Sequence, residues 1–287
     1  MRKELGTMDT NEMAWRARLD GRIAVVTGAG RGLGRAAAIL LGRAGASVVV
    51  TARTESEIEE VAQKIRADGG SAQSVTADVS DWDSVLRLAA ETEQRFGLPD
   101  IVVANAGVIE PVGDSWKVGP RAWAKNLDIN LTGAYYAARG FLPAMVERDS
   151  GVLIFTSSGA AVRPVAGWSA YCAAKAGLEH LVRTLVAELD ERQLSIRAHL
   201  FYPGIVDTSM QQRIRTKSKD EFLQVDKYRR YYERGVLRPP EEPAALIWWL
   251  ATPMAAEFHG RAVSIDDAAI RERLAQDLDL PQFPARG

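Results

Sequence analysis

A tyrosine and a lysine four residues apart form the pattern with the clearest chemistry. Tyr171 and Lys175 would lie on one face of a helix, one turn apart. A phenol has a pKa near ~10, and a neighbouring ammonium group favours the phenolate and lowers that pKa. Such a tyrosine can act as general base in alcohol oxidation and as general acid in carbonyl reduction. A pair with this spacing also arises by chance, so its weight depends on where the fold places it.

A glycine-rich turn is the second such pattern. An apolar run continues directly into residues 27–34, Thr-Gly-Ala-Gly-Arg-Gly-Leu-Gly, and a stretch rich in Ala and Leu follows. Glycines allow a tight turn with positive φ and let the backbone approach a phosphate closely. The helix that follows points free N–H groups and its positive dipole end toward that anion. The order strand, turn, helix therefore favours a nucleotide site over a turn that serves packing alone.

The composition excludes several classes of protein. Of 287 residues, 47% are hydrophobic and 25% are charged, and 36 Lys and Arg against 37 Asp and Glu give a net charge of −1. Nucleic-acid binding is disfavoured, because it needs a surplus of cations. One cysteine, Cys172, excludes an intrachain disulfide and a multi-cysteine metal site. The single cysteine favours a reducing cytoplasm. No run suits a membrane span or a secretory signal.

Short apolar runs alternate with longer amphipathic stretches along most of the chain. The runs predict seven strands, at residues 23–27, 47–51, 72–77, 101–104, 152–156, 196–201 and 262–265. Between them apolar residues recur every three or four positions, as at Ile58, Val61 and Ile65. Strands separated by helices must be parallel, because a crossover needs about a dozen residues. The pattern predicts a single-domain, doubly wound α/β sheet with helices on both faces.

The segments outside this alternation predict the domain organisation. We expect a polar arm at 1–19, one domain at 20–265, and a tail at 266–287 made of a short polar helix and a proline-containing end. Residues 205–238, the lid segment, lack a strand pattern and contain nine Lys or Arg and five Asp or Glu. Its excess of positive charge is compatible with an anionic substrate or an acyl-carrier thioester. The alternative is that these charges only form a solvated helical face. Its Tyr and Phe residues suggest an apolar or ring-shaped substrate.

Over about residues 20–265 the ordered motifs resemble those of the short-chain dehydrogenase/reductase family. The family turn has the spacing Thr-Gly-x-x-x-Gly-x-Gly, which residues 27–34 match. The motifs follow along the chain in this order: the glycine turn, Asp78-Val79, Asn105-Ala106-Gly107, Asn130 in Asp-Ile-Asn-Leu-Thr-Gly, Ser158, Tyr171-x-x-x-Lys175 and Pro203-Gly204. The resemblance implies a Rossmann-like oxidoreductase that interconverts a secondary alcohol and a ketone.

The resemblance also implies roles for particular residues. Tyr171 is the general acid/base, and Lys175 lowers its pKa and binds the nicotinamide ribose. Ser158 orients the substrate oxygen, and Asn130 holds a water that links Lys175 to solvent in a proton relay. The implied cofactor contacts are Gly28, Gly30, Arg31, Gly32, Leu33, Gly34, Arg53, Asp78, Val79, Asn105, Ala106, Gly107, Tyr171, Lys175, Pro203, Gly204, Ile205, Val206 and Thr208. A homodimer or homotetramer is expected, without metal, nucleic acid or membrane partners.

The residue after the second strand separates the two nicotinamide cofactors. An acidic residue there accepts from a ribose 2′-hydroxyl and repels a 2′-phosphate. Ala52 occupies that position, Arg53 follows it, and Arg31 lies inside the glycine turn. Guanidinium groups give a phosphate charge-assisted hydrogen bonds of roughly 1.5–3 kcal/mol each. We therefore expect NADP(H), with NAD(H) as the alternative if both arginines are only solvated surface charges.

Two other functions stay open. A nucleotide-binding regulator would share the glycine turn but would not need an acid/base pair. Another α/β enzyme, such as a methyltransferase, usually has an acidic residue where Arg53 lies. Two departures from the family pattern also matter. Ala104 stands where the motif has a first Asn, and Ser264-Ile265-Asp266-Asp267-Ala268 replaces Val-Asp-Gly-Gly, which leaves the fold of the tail and the subunit pairing open.

The cysteine, the histidines and a pair of tryptophans are expected to have structural rather than catalytic roles. Cys172 is expected to be a small packing residue, because no partner histidine is recognisable. The three histidines have no metal-ligand spacing, so core or surface positions are expected for them. The stretch Ala-Leu-Ile-Trp-Trp-Leu-Ala around Trp248 and Trp249 predicts a helix that is buried all round, partly against another subunit.

Overall fold

Seven parallel strands form one sheet in this computed structural model, which describes residues 17–281 and 283–284. They are β1 (Ile23–Thr27), β2 (Ser47–Ala52), β3 (Ser71–Thr76), β4 (Ile101–Ala104), β5 (Val152–Thr156), β6 (Arg197–Tyr202) and β7 (Ala262–Ser264). The strand order is β3-β2-β1-β4-β5-β6-β7, and every neighbouring pair is parallel. The doubly wound fold is confirmed, and each predicted strand is present to within one residue at either end.

Helices connect the strands and cover both faces of the sheet. In the part of the chain that the structure describes they are α1 (Gly32–Arg43), α2 (Glu55–Ala67), α3 (Trp82–Phe96), α4 (Pro120–Leu127), α5 (Gly133–Glu147), α6 (Ser169–Glu191), α7 (Ser209–Arg215), α8 (Val225–Glu233), α9 (Glu241–Ala251) and α10 (Ala268–Leu278). No helix among these described residues is long and apolar enough to cross a bilayer.

Two hydrophobic cores lie on opposite faces of the sheet. Successive side chains of a strand point to opposite faces, so neighbours in β1 separate: Val26 joins one core and Val25 the other. The first core also contains apolar residues of α1, α2, α9 and α10. The second contains those of α3, α5 and α6. The sheet is therefore fixed from both sides, which holds its strand ends in place.

Helix α9 is buried within this chain rather than against a second subunit. Trp248 and Trp249 are 1% and 0% exposed. Trp248 Nε1 donates to the carbonyl of Ala17 at 2.7 Å, and Trp249 Nε1 donates to Asp277 of α10 at 2.8 Å. The prediction that another subunit covers part of this helix is wrong, because the chain's own terminal segments supply the cover.

Both ends of the chain differ from the sequence expectation where the structure describes them. Residues 1–16 of the predicted arm, and residues 282 and 285–287 of the tail, lie outside the described residues. Ala17 and Leu19 are buried core residues, not part of a polar arm. The tail helix α10 is amphipathic rather than polar, because it buries Leu274 and Leu278 against the first core.

The lid segment leaves the sheet after β6 and returns before α9. It contains α7 and α8 and, as predicted, no strand. Its two ends meet: Arg238 N donates to the Ile205 carbonyl, and Asp207 N donates to the Arg238 carbonyl, both at 2.8 Å. The Arg238 guanidinium is buried and pairs with Glu242 at 3.1 Å and with Asp266 at 2.9 Å. The base of the lid is thus anchored to α9 and to the segment after β7.

Candidate active site

The glycine turn follows β1 at the edge of the sheet where all the strands have their carboxyl ends. Gly28 has φ +64°, and a Cβ there would lie 2.7 Å from the Cα of Ala106. A Cβ on Gly34 would lie 2.3 Å from the Gly28 carbonyl oxygen and 2.5 Å from Asn105 Nδ2. Side chains are excluded at both positions, because the turn packs directly against the segment after β4.

Thr27 ties the ends of β1 and β4 together, a role that sequence analysis missed. Its buried hydroxyl accepts from the backbone N–H groups of Asn105 at 3.0 Å and Ala106 at 3.1 Å, and it donates to the Val103 carbonyl at 3.2 Å. Asn105 Nδ2 donates in return to the Thr27 carbonyl at 3.0 Å. The predicted motif at 105–107 therefore borders the glycine turn. The departure at Ala104 leaves this contact intact, because the bonds use the next residues.

The start of α1 is open to an anion. Arg31 precedes the helix with extended backbone, no side chain caps the helix start, and its first turn contains no acidic residue. Its N–H groups and positive dipole end are therefore free to meet negative charge. A Cβ on Gly32, where φ is +55°, would lie 3.1 Å from Thr208 Cγ2. The turn thus adjoins the segment after β6, and these residues fit a dinucleotide phosphate.

The predicted 2′-phosphate residues, Arg31 and Arg53, lie on the surface beside carboxylates. Arg31 Nη1 is 3.6 Å from Glu57 Oε1, and Arg53 Nη1 is 3.9 Å from Asp78 Oδ2. Burial opposes ionisation of Asp78, but hydrogen bonds from Ser80 and the charge of Arg53 hold the pKa of its carboxyl below the usual value. Both arginines are thus charge-paired in the protein itself.

Several of the remaining predicted cofactor contacts have buried side chains. Leu33, Val79 and Val206 are 9%, 7% and 9% exposed, so their side chains pack in the protein interior and only their backbone is available to a ligand. Gly204 has φ +70°, and a Cβ there would lie 3.0 Å from Asp266 Oδ1. Asp266 belongs to the departure after β7, and it lines this turn while it pairs with Arg238.

The tyrosine, lysine and serine of the predicted acid/base site are brought together. Tyr171 and Lys175 lie one turn apart on α6, and both are buried, at 8% and 4% exposure. Lys175 Nζ is 5.7 Å from the centroid of the Tyr171 ring and donates to the Thr156 carbonyl at 2.7 Å. Ser158 lies just after the end of β5 and close enough to the Tyr171 hydroxyl to lower the pKa of the phenol.

The pKa values of the pair are set mainly by burial. Burial raises the pKa of Tyr171 to about 12, and the hydrogen bond with Ser158 only partly offsets this. Burial lowers the pKa of Lys175 to about 8. Without a bound cofactor the pKa of Tyr171 is therefore raised, whereas the sequence predicted a lowered pKa. The reason is that Lys175 Nζ is hydrogen-bonded to a carbonyl and that burial disfavours the charged phenolate. A further positive charge bound beside the ring would favour the phenolate.

Asn130 lies in a π-helical turn, Asp128–Thr132, between α4 and α5. Its amide nitrogen donates to Val108 O at 2.9 Å and to Asn126 Oδ1 at 2.9 Å, and its amide oxygen accepts from Val108 N at 3.1 Å. Asn126, which sequence analysis missed, donates to Glu110 O at 2.7 Å. The two asparagines thus hold the loop after β4, and their spacing of four residues in the sequence was the available signal.

An aromatic cluster that includes Phe222 and Tyr228 of the lid segment surrounds Trp168 and Tyr171. Trp168 stands edge-on to Tyr171, with ring centroids 5.9 Å apart, and stacks on Phe222 at 5.7 Å and 17°. Tyr228 contacts both Trp168 and Phe222, at 5.2 and 5.4 Å. Ile109 and Ile214 belong to the same buried cluster. The surroundings of the phenol are therefore mainly aromatic and aliphatic.

The cations of the lid segment are largely paired with acidic side chains. Arg238 is held by Glu242 and Asp266, as described above. The other ion pairs are Arg213–Glu110 at 3.6 Å, Arg215–Asp207 at 3.6 Å, Lys217–Glu221 at 3.1 Å, Lys219–Asp226 at 3.5 Å and Arg229–Asp226 at 3.2 Å. The local positive excess is therefore spread over neighbouring carboxylates.

Glu179 is a buried carboxylate beside the site to which sequence analysis gave no role. It lies on α6 one turn beyond Lys175. It accepts from the hydroxyls of Ser157, at 3.0 Å, and of Tyr202. These residues precede Ser158 and Pro203, so Glu179 joins the ends of β5 and β6. Only the fold brings these three positions together, so no local sequence signal could have found them.

Cys172 and His199 occupy packing positions, His259 is half-buried and His180 is exposed. Cys172 packs against the aromatic cluster. His199 is fully buried with Nδ1 3.0 Å from the Phe258 carbonyl, and burial lowers its pKa to about 4. His259 Nδ1 accepts from Ala198 N at 3.0 Å. Among the described residues, no three His, Cys, Asp or Glu side chains are grouped as metal ligands.

Fold and site together define a dinucleotide-binding oxidoreductase, and comparison with known proteins agrees. The family model described as short chain dehydrogenase matches residues 22–219. Versicolorin reductase 1 of Aspergillus parasiticus is 32% identical over 275 residues, which cover 88% of this chain and 98% of that protein. The 3-oxoacyl-acyl-carrier-protein reductase FabG of Pseudomonas aeruginosa is 33% identical over 250 residues, which cover 86% and 97%.

A solved structure shares the same architecture. Gluconate 5-dehydrogenase from Burkholderia cenocepacia, in complex with NADP and tartrate, has a TM-score of 0.76 at 25% identity and covers 87% of this chain and 95% of its own. The chain therefore belongs to the short-chain dehydrogenase/reductase family. It is an oxidoreductase of the class that acts on CH–OH and C=O groups with a nicotinamide dinucleotide.

Proposed function

We propose that the protein interconverts a secondary alcohol and a ketone with NADP(H), and that Tyr171 is its general acid/base. The observation that carries this proposal is the buried Tyr171 phenol on α6, with Lys175 Nζ 5.7 Å from its ring and Ser158 close enough to lower its pKa. This group lies at the sheet edge that also holds the glycine turn. A regulator without turnover would have no use for a buried acid/base pair.

The chain's own residues hold and move one proton. Ser158 binds the substrate oxygen and keeps it beside the Tyr171 hydroxyl. In oxidation the phenolate takes the alcohol proton, and in reduction the phenol returns a proton to the carbonyl oxygen. The Lys175 ammonium stabilises the phenolate formed in oxidation. A nicotinamide, when bound, supplies the hydride acceptor or donor for the substrate carbon.

The cofactor is held along the ends of six strands in this proposal. The start of α1 binds the pyrophosphate, Lys175 binds the nicotinamide ribose, and Thr208 contacts the carboxamide. Arg31 and Arg53 bind the 2′-phosphate of NADP(H), and no acidic residue stands at position 52 to favour NAD(H). NAD(H) is the alternative cofactor. Asn130 has every amide atom bonded within the protein, so its part in a proton relay rests on the resemblance alone.

The substrate in this proposal is an uncharged ketone with an apolar or ring-shaped body. Trp168, Phe222 and Tyr228 form a buried aromatic cluster beside Tyr171, so the wall of the site nearest the phenol is apolar. The lid cations are paired with acids, which disfavours an anionic substrate. The similar proteins include a versicolorin reductase, a 3-oxoacyl-acyl-carrier-protein reductase and a gluconate 5-dehydrogenase, so the aromatic cluster and the paired lid cations carry the choice of substrate class.

A panel of ketones with NADPH and NADH tests this proposal. The panel contains apolar cyclic ketones, short aliphatic ketones and ketoacids, and oxidation of the nicotinamide is followed by its absorbance. We expect turnover with NADPH, with cyclic ketones giving higher kcat/KM than ketoacids. Ketoacids as the best substrates would contradict the substrate class, and absence of turnover with any ketone would contradict the reaction.

A further inference from the structure

Each arginine at the predicted 2′-phosphate corner already has an acidic neighbour. Arg31 lies 3.6 Å from Glu57, and Arg53 lies 3.9 Å from Asp78. The side chains are 37–55% exposed, so each pair is a surface pair of modest strength. The four charges sum to zero, so the corner is less cationic than its two arginines suggest.

Glu57 is held against the glycine turn by the packing of α2. It lies in the first turn of that helix, next to the fully buried Ile58. A Cβ on Gly30 would lie 2.9 Å from both Glu57 Cβ and Glu57 Oε2. Glycine at position 30 therefore leaves the space that the Glu57 side chain occupies. The carboxylate is placed over the turn, with one oxygen toward Gly30 and the other toward Arg31.

We propose that Glu57 is a specificity-determining residue that weakens the preference for NADP(H) over NAD(H). Its charge neutralises Arg31 and repels a 2′-phosphate dianion, whereas a 2′-hydroxyl carries no charge for it to act upon. We do not assign this role to Asp78, because its carboxylate accepts hydrogen bonds from the backbone N–H and the hydroxyl of Ser80. The inference deepens the proposed function and rests on the dinucleotide site assigned there.

Binding of the two oxidised cofactors tests this inference without any turnover. NADP⁺ and NAD⁺ are titrated calorimetrically into the wild-type protein and into Glu57→Gln at low ionic strength, where exposed charges are least screened. We expect Glu57→Gln to bind NADP⁺ about three- to tenfold more tightly, since a unit charge about 6 Å from a dianion has an effect of this order. Affinity for NAD⁺ should change by less than about twofold.

Glu60→Gln is the matched control. Glu60 lies on the same helix and pairs with another arginine of α1, Arg35, at 3.3 Å. Glu60→Gln removes the same charge about one helical turn from Glu57. If only the overall electrostatic field mattered, NADP⁺ affinity would change equally in both variants, and that result would overturn the inference. An equal gain for NAD⁺ and NADP⁺ in Glu57→Gln would overturn it as well.

The route through Arg31 is tested in a double-mutant cycle. In an Arg31→Gln background, Glu57→Gln should lose the part of its effect on NADP⁺ binding that acts through the arginine, and only the part due to direct repulsion of the 2′-phosphate should remain. A full gain in that background would overturn the assigned pairing. If the wild-type protein bound neither dinucleotide, the proposed function itself would fail. Normal NADP⁺ binding that Glu57→Gln leaves unchanged would overturn only this inference.

Discussion

Lys175 is a buried ammonium group, 4% exposed, that donates a hydrogen bond of 2.7 Å to the Thr156 carbonyl and has little contact with water. Burial lowers its pKa from 10.5 to about 8. The unfolded chain therefore binds the Lys175 proton more tightly than the folded chain does. Stability from this group is lowest below about pH 8 and is gained as the pH rises toward the unfolded value. A binding partner for the cation would reduce this penalty.

Lys175→Met removes this pH dependence in a side chain of similar length. Between pH 8 and 10, the free energy of unfolding of the wild type should rise relative to that of the variant, by an amount on the order of 1–3 kcal/mol. Urea unfolding at pH 7, 8, 9 and 10 measures the difference. The pKa of Tyr171, raised by burial, acts in the opposite direction only above about pH 10. A constant difference between the two proteins would contradict a depressed Lys175 pKa.

Single residues show what the sequence could and could not predict about the site. The four-residue spacing of Tyr171 and Lys175 places them on one helical turn, and the structure confirms their proximity. The pKa of the phenol could not be predicted from that spacing, because it depends on burial, which the tertiary packing sets. Glu57 beside Gly30 and Glu179 between two strand ends are likewise products of packing.

At the scale of elements, the lid segment is held to the site by aromatic contacts rather than by its charges. Phe222 is 1% exposed and stacks on Trp168, and its neighbour Leu223 is 70% exposed. A Cβ on Gly167 would lie 3.0 Å from the Phe222 ring, so the two segments pack closely. The ion pairs of the lid are mostly exposed and contribute little to its docking.

Phe222→Ala should release the lid segment, whereas Leu223→Ala should not. Loss of a buried phenyl ring costs about 3–5 kcal/mol of packing, and here the loss falls on the docked lid. Trypsin cuts after Lys or Arg that no proline follows, and residues 205–238 contain eight such sites. We expect it to cut there at least about tenfold faster in Phe222→Ala. Leu223→Ala is the control and should be cut at the wild-type rate. Equal rates in all three proteins would show that Phe222 does not hold the lid.

Among the secondary-structure elements, the apolar pattern predicted the strands well but did not predict how the two chain ends pack. Apolar runs identify buried parallel strands because both faces of each central strand are covered. The tail helix α10 has many charged residues, so its sequence predicts a polar helix. Its Leu274 and Leu278 are nevertheless buried in the same core as α9. The partner of Trp248 could not be predicted either, because Ala17 offers only a backbone carbonyl to it.

At the scale of the whole molecule, one sheet edge combines cofactor binding with proton transfer. Parallel strands place all their carboxyl ends together, so motifs up to about 180 residues apart in the chain become neighbours. Gly32 next to Thr208 shows this closure directly. The topology could be predicted from the alternation of strands and helices. The substrate could not, because the lid that shapes its site follows no periodic pattern.

Tyr171→Phe separates cofactor binding from proton transfer at this edge and shows whether Tyr171 carries the proton. The variant keeps the aromatic packing with Trp168 and loses only the hydroxyl, and Tyr135→Phe, at an exposed tyrosine, is the control. Single-turnover reduction of a ketone that the wild type accepts is measured with saturating NADPH, after NADPH binding has been shown by titration. We expect unchanged NADPH affinity and a rate lowered about 10²- to 10⁴-fold. A near-normal rate in Tyr171→Phe would contradict Tyr171 as the proton carrier.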